Sequence, residues 1–86
     1  MNTNFITYMK DIEQNDNVTE LNKLVLKLDE KNVEHHEREF LLGFISIKKA
    51  YNDLKMNGVN SGPTYEATCD VLDIYRNFEH TLYVGM

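Results

Sequence analysis

The chain has 86 residues, of which 42% are hydrophobic and 27% are charged, values typical of one folded domain and not of a disordered segment. Nine basic against fourteen acidic residues give a net charge of −5, which argues against general nucleic-acid binding because a phosphate backbone requires a basic face. The single cysteine excludes an intramolecular disulfide, no apolar stretch approaches the roughly 20 residues that span a bilayer, and no signal peptide is recognisable at the N-terminus. We therefore expect one cytoplasmic domain over residues 1–86.

Two short amphipathic helices are predicted in the first third of the chain. Apolar residues recur at helical spacing on one face of the first helix, at Phe5, Tyr8, Met9 and Ile12. The run QNDN at 14–17 then interrupts this helix with side chains that favour turns. Asn17 can cap the second helix, with Glu20 as its reciprocal partner three residues later. The second helix has an apolar face of Leu21, Leu24, Val25 and Leu28, and a basic face of Lys23, Lys27 and Lys31.

The segment 29–39 is mostly charged and leaves two interpretations open. Either the chain turns near Asn32, or one helix continues through solvent. Leu28 and Phe40 are twelve residues apart. At the helical period that separation is a rotation of about 1200°, roughly 120° out of register, which favours a turn or a change of face.

A long third helix and a fourth helix are predicted after this segment. The stripe of the third helix consists of Phe40, Phe44, Ile47, Tyr51 and Leu54, widened by Leu41 and Ile45. Asn57-Gly58 is a good C-terminal stop, and Pro63 suits the first turn of the next helix. The fourth helix is predicted to bury Ala67, Val71, Ile74, Tyr75, Phe78 and Leu82. The predicted fold class is all-α, a small antiparallel bundle of three to four helices with a long central helical hairpin.

The hairpin resembles a known family. Residues 44–54, FISIKKAYNDL, followed by Gly58, Pro63 and Tyr65, are similar to the helix–turn–helix core of the YlbF/YmcA family, over about a quarter of the chain. That family consists of small helical bacterial proteins that act as non-enzymatic regulatory partners in larger complexes. The present chain is shorter and lacks the Cys-rich tail with which some members bind a cofactor. The resemblance therefore implies a helical interaction protein and assigns no functional residue.

Metal and catalytic chemistry are weakly supported by the sequence. His35 and Glu39 are four residues apart and would share one face of a helix, but they supply two ligands where a closed zinc site uses four. Cys69 has no histidine near it in sequence to act as a base, and it borders an apolar stripe. We therefore expect no enzyme, no cofactor and no bound metal.

The fourth helix offers candidate partner-binding residues. Glu66, Asp70 and Asp73 lie at i, i+4 and i+7 and would form one acidic stripe suited to a basic surface. Tyr65 and Tyr83 lie near the two ends of this helix and are of a type that protein interfaces favour.

Two functions fit these features. The first is a non-enzymatic protein-binding module, a regulator or adaptor that acts through a homo-oligomer or a larger complex. The second is an inhibitor encoded by a phage or mobile element, similar to anti-CRISPR proteins, whose acidic face blocks a basic nucleic-acid-binding groove of a host enzyme. Both predict a protein partner, no direct nucleic-acid binding and no membrane.

Overall fold

A computed structural model describes residues 3–30 and 34–84 of the chain, with side chains described over 5–28 and 34–78. These residues form four α-helices, α1 (Thr3–Gln14), α2 (Val18–Glu30), α3 (His35–Met56) and α4 (Pro63–Val84). The two described ranges contain no strand. The all-α fold class predicted from the sequence is confirmed.

Capping residues begin the second and third helices. Asn17 Oδ1 accepts hydrogen bonds from the backbone N–H groups of Thr19 at 2.8 Å and Glu20 at 3.4 Å, so Asn17 caps α2 as predicted. At the start of α3, the backbone N–H of Glu34 donates to Oε1 of Glu37 at 3.4 Å. The charged segment is thus divided between two separate helices, while Asn32 lies outside the described residues.

The α3–α4 turn follows the glycine and proline signals of the sequence. Gly58 has a φ of 75°, a conformation that glycine adopts without steric cost. The N–H of Gly58 donates to the carbonyl of Lys55, and the N–H of Val59 donates to that of Leu54. This pair of hydrogen bonds is the Schellman motif that ends many helices. Pro63 then occupies the first position of α4.

The helices alternate in direction and form a diamond in cross-section. Phe5 contacts Phe40, with ring centroids 5.8 Å apart, and Lys48 donates a hydrogen bond to the carbonyl of Glu13. The two residues of each pair are 35 apart in sequence, so α1 and α3 run parallel. These two helices each pack against all the others. Within the described residues α2 and α4 make no contact with each other, so they occupy opposite corners.

The core lies around the α1–α3 diagonal. The predicted inner faces of α1 and α2 are confirmed, with Val25 half-buried. The buried face of α3 is displaced around the helix from the predicted stripe. Its buried centre is Leu41, Phe44, Ile45 and Lys48, whereas Phe40, Ile47, Tyr51 and Leu54 are half-buried. The apolar side chains of the core are Phe5, Tyr8, Met9, Ile12, Leu21, Leu24, Leu28, Leu41, Phe44, Ile45 and Leu72.

The buried face predicted for α4 is wrong. Its members Ala67, Val71, Ile74 and Phe78 are exposed, Tyr75 is half-buried, and the side chain of Leu82 lies outside the described residues. The buried face instead contains Thr68 and Leu72.

The prediction fails because the polar side chains on the inner face of α4 have hydrogen-bond partners there. The Thr68 hydroxyl donates to the carbonyl of Thr64 at 2.8 Å, and Arg76 Nε lies 2.9 Å from Oε1 of Glu13 on α1. Polar side chains with such partners are tolerated at a packed face, so the more apolar stripe is free to face outward.

Candidate functional site

The exposed apolar row on α4 is the main candidate surface, and we call Ala67, Val71, Ile74 and Phe78 the outer row. The exposed fraction is 65% for Ile74, 37% for Val71 and 38% for Phe78. The outer row is largely open because the buried side of α4 is the one that carries Thr68 and Leu72, and only Phe78 at its end also contacts rings of α1 and α3. Within the described residues α2 makes no contact with α4.

The acidic residues predicted to bind a partner lie beside the outer row. Glu66, Asp70 and Asp73 are all exposed, and none of them forms an ion pair within the described part of the chain. Arg76 is the one Lys or Arg in the sequence of α4, and its guanidinium is directed inward to Glu13. No Lys or Arg of α4 therefore compensates the negative charge of these three carboxylates.

Tyr65 lies on another side of α4 from the acidic residues. Its ring is half-buried and packs against the ring of Tyr51 on α3, with centroids 5.9 Å apart. Side-chain hydrogen bonding with Tyr51, and then with Cys69, raises the pKa of Tyr65 to about 12. Tyr83 belongs to α4, but its side chain is not among those described. The structure therefore places the Tyr65 ring away from the acidic stripe, and the prediction for Tyr83 lies outside the described side chains.

Sequence reasoning missed a polar cluster between α1 and α3. Lys48 is 2% exposed, and its Nζ donates to the carbonyl of Glu13 at 3.0 Å and to Oδ1 of Asp16 at 2.9 Å. The hydrogen bond from Lys48 is the main cause that lowers the pKa of Asp16 below its ordinary value. The missed signal was the spacing of Lys48 from Leu41 and Phe44, which places this lysine within the buried stripe of α3.

The residues considered for metal binding or catalysis are not assembled into a site in the described part of the chain. His35 and Glu39 are both exposed. The described residues contain no group of three or more His, Cys, Asp or Glu side chains placed to hold a metal ion. The absence of a metal requirement stays a prediction, since His80 lies outside the described side chains.

Cys69 is half-buried and interacts with the Tyr65 hydroxyl. It packs at the edge of the inner face of α4, as a small apolar residue would.

None of the described helices is both long enough and apolar enough to cross a membrane.

Comparisons of the chain with known protein families, with curated proteins and with solved structures found no match. The resemblance of residues 44–54 to the YlbF/YmcA family therefore stays a hypothesis from the sequence.

Proposed function

We propose that this chain is a non-enzymatic protein-binding module that regulates or adapts a larger complex, and that the outer row of α4 is its contact surface. One observation carries the proposal. A helix that packs against the core through one side exposes Val71, Ile74 and Phe78 on another. Beside them are three carboxylates that form no ion pair with any described residue.

A single exposed apolar side chain would not support this proposal. Leu26 on α2 is 66% exposed, and isolated cases of this kind are ordinary on protein surfaces. The outer row differs because its members adjoin one another along one helix and are bordered by charge. A contiguous apolar strip with a polar rim is the arrangement that marks protein-interaction surfaces.

The acidic border adds a kinetic role. Exposed carboxylates contribute little to affinity but attract a basic surface at long range, so they raise the rate of association. We expect the outer row to supply the affinity, and Asp70 and its neighbours to supply the steering.

The second candidate function is inhibition of a nucleic-acid enzyme by blocking its basic groove. The inward direction of Arg76 favours it, because the acidic stripe is left without a cation of its own helix. A groove that normally holds phosphates would be matched by carboxylates alone and would not require exposed apolar side chains. The outer row beside the acidic stripe therefore favours the first function.

Site-specific photo-crosslinking tests whether the outer row binds a protein. A benzoylphenylalanine at position 74 is compared with one at position 26, since Ile74 and Leu26 are 65% and 66% exposed. In a bacterial lysate, with and without an added Cas nuclease, we expect a discrete adduct from position 74 that position 26 does not give. Equal adducts from both positions, or none from position 74, would contradict the proposal.

Two variants then separate the candidate functions once the crosslinked protein is purified. For an adaptor, Ile74→Gln should weaken binding strongly, and Asp70→Lys with Asp73→Lys should mainly slow association. For a groove-blocking inhibitor, the charge reversal should abolish binding and Ile74→Gln should change it little. Ultracentrifugation of each variant checks that it remains folded.

A further inference from the structure

The outer row has the spacing of a coiled-coil seam. Its four members are separated by 4, 3 and 4 residues, which places Ala67 and Ile74 at d positions and Val71 and Phe78 at a positions of a heptad. This is the alternation with which one helix presents a continuous seam to a second helix. Within the described residues α1 and α3 reach this seam through Phe78, while Val71 and Ile74 remain exposed.

The seam has a defined shape. At its C-terminal end, Phe78 is held by the ring of Phe40, with centroids 4.6 Å apart, and by the ring of Phe5 at 6.4 Å. Ala67, at the other end, projects only a methyl group and leaves space for a larger side chain of a partner. From Ala67 to Phe78 the helix rises about 16 Å, which is the length of a contact with roughly three turns of a partner helix.

Charge decides what kind of helix fits. Asp70 occupies the g position, which borders the seam and faces the e or g residues of a docked helix. Glu66 and Asp73 occupy c positions, which neighbour the g position on the helix surface, so this border of the seam is acidic. A partner helix therefore needs Lys or Arg along the edge that meets Asp70.

We propose that the outer row of α4 binds an amphipathic α-helix of a partner protein, with apolar residues at its a and d positions and Lys or Arg at the e or g positions that meet Asp70. This inference rests on the proposed protein-binding function and specifies the chemistry of the partner.

A second copy of the chain is a poorer occupant of this seam. Each copy has a net charge of −5 and would bring its own Glu66, Asp70 and Asp73 to the interface. The two acidic borders would repel each other, because like charges across a helix interface oppose association.

A designed peptide tests the partner class directly. The probe is a fluorescein-labelled peptide of about 21 residues, three heptads, with Leu at a and d and Lys at e and g. One control peptide replaces each Lys with Glu, and a second keeps the Lys residues and replaces each Leu with Gln. Fluorescence anisotropy measures binding to the full chain at low and at physiological salt.

We expect the Lys/Leu peptide to bind the full chain and both control peptides to bind at least about tenfold more weakly. Ile74→Gln and Asp70→Lys should each weaken binding of the Lys/Leu peptide by a similar factor. The matched variants Leu26→Gln and Asp53→Lys alter an equally exposed leucine and another exposed aspartate, and they should leave binding unchanged.

Three results would overturn the inference. The first is equal binding of the Lys/Leu peptide and its Glu counterpart, and the second is binding that Ile74→Gln leaves unchanged. The third is self-association of the chain, measured by sedimentation, that Ile74→Gln abolishes, because it would assign the seam to a second copy. If the position-74 crosslink forms while the peptide fails, the chain binds a protein of another kind, and only the helix inference is lost.

Discussion

The buried ammonium of Lys48 lies 2.9 Å from a carboxylate oxygen of Asp16, although the Asp16 side chain is itself 81% exposed. The lysine also donates to the carbonyl of Glu13 in the last turn of α1, where backbone carbonyls have no partner within the helix. One side chain of α3 thus satisfies the end of α1 and the loop that follows it. This contact has two consequences for stability that can be measured.

The first prediction concerns pH. The hydrogen bond from Lys48 lowers the pKa of Asp16 from its ordinary value of 3.8. The carboxylate therefore stabilises the fold above pH 3.8, and this contribution is lost as the pH falls through the lower pKa of the folded state. We expect Asp16→Asn to flatten the acid limb of a plot of unfolding free energy against pH. Equal curves for Asp16→Asn and the wild type would contradict the assignment.

A second prediction compares the two partners in this ion pair. Removing Asp16 leaves a buried ammonium with one fewer acceptor, whereas Lys48→Met removes the charge and keeps an apolar side chain of similar length. We expect Asp16→Ala to lower the unfolding free energy by about 1–3 kcal/mol and Lys48→Met to lower it by less. Urea denaturation at neutral pH measures both values. A larger loss for Lys48→Met would show that the bond to the Glu13 carbonyl dominates.

The third prediction concerns two phenylalanines with different surroundings. Phe44 is fully buried and stacks on the ring of Tyr75, with centroids 5.2 Å apart and planes 2° from parallel. We expect Phe44→Ala to cost about 3–5 kcal/mol, because it leaves a cavity. Phe78→Ala should cost only about 1–2 kcal/mol, since Phe78 is 38% exposed. Thermal unfolding followed by circular dichroism distinguishes the two, and equal losses would mean that the outer row is covered.

A fourth prediction tests the close approach of α3 and α4. A Cβ atom at Gly43 would collide with the hydroxyl oxygen of Tyr75, whose ring is held between Phe40 and Phe44. Alanine in a helix is ordinarily more favourable than glycine, yet we expect Gly43→Ala to destabilise the chain by about 1–3 kcal/mol. In a Tyr75→Phe background, which removes the hydroxyl, the same change should cost markedly less. A cost that is identical in both backgrounds would exclude the collision as the cause.

The sequence predicts the first half of the fold well because its helices each have one apolar face. Phe5 and Leu21 could face only the core, and Asn17 has the side chain and the position of a cap. The exposure of the acidic side of α4 is also predictable, since a carboxylate such as that of Asp70 is expected to face solvent.

The inner face of α4 could not be predicted, because the helix has apolar residues on two sides. Periodicity alone favours the side of Ile74, while packing selects the side of Leu72. That choice depends on contacts with other helices, such as the ion pair of Arg76 with Glu13 and the access that Gly43 gives to Tyr75. Lys48 was missed for a related reason. A lysine next to an apolar stripe is expected at the edge of the buried face, and its burial becomes understandable only once a carboxylate from another element lies beside it.

The contact between the first and last helices bears on how this chain folds during synthesis. Phe5 contacts Phe78, and Glu13 forms an ion pair with Arg76, so α1 completes its packing only with α4, which leaves the ribosome after the other three helices. Until then, a nascent chain of α1, α2 and α3 exposes the surface that α4 will cover. Helical bundles whose contacts are mostly local fold fastest, and long-range contacts such as these slow the final step. We therefore expect a ribosome-bound chain that ends before α4 to be sensitive to protease, and the released chain to become resistant in one step.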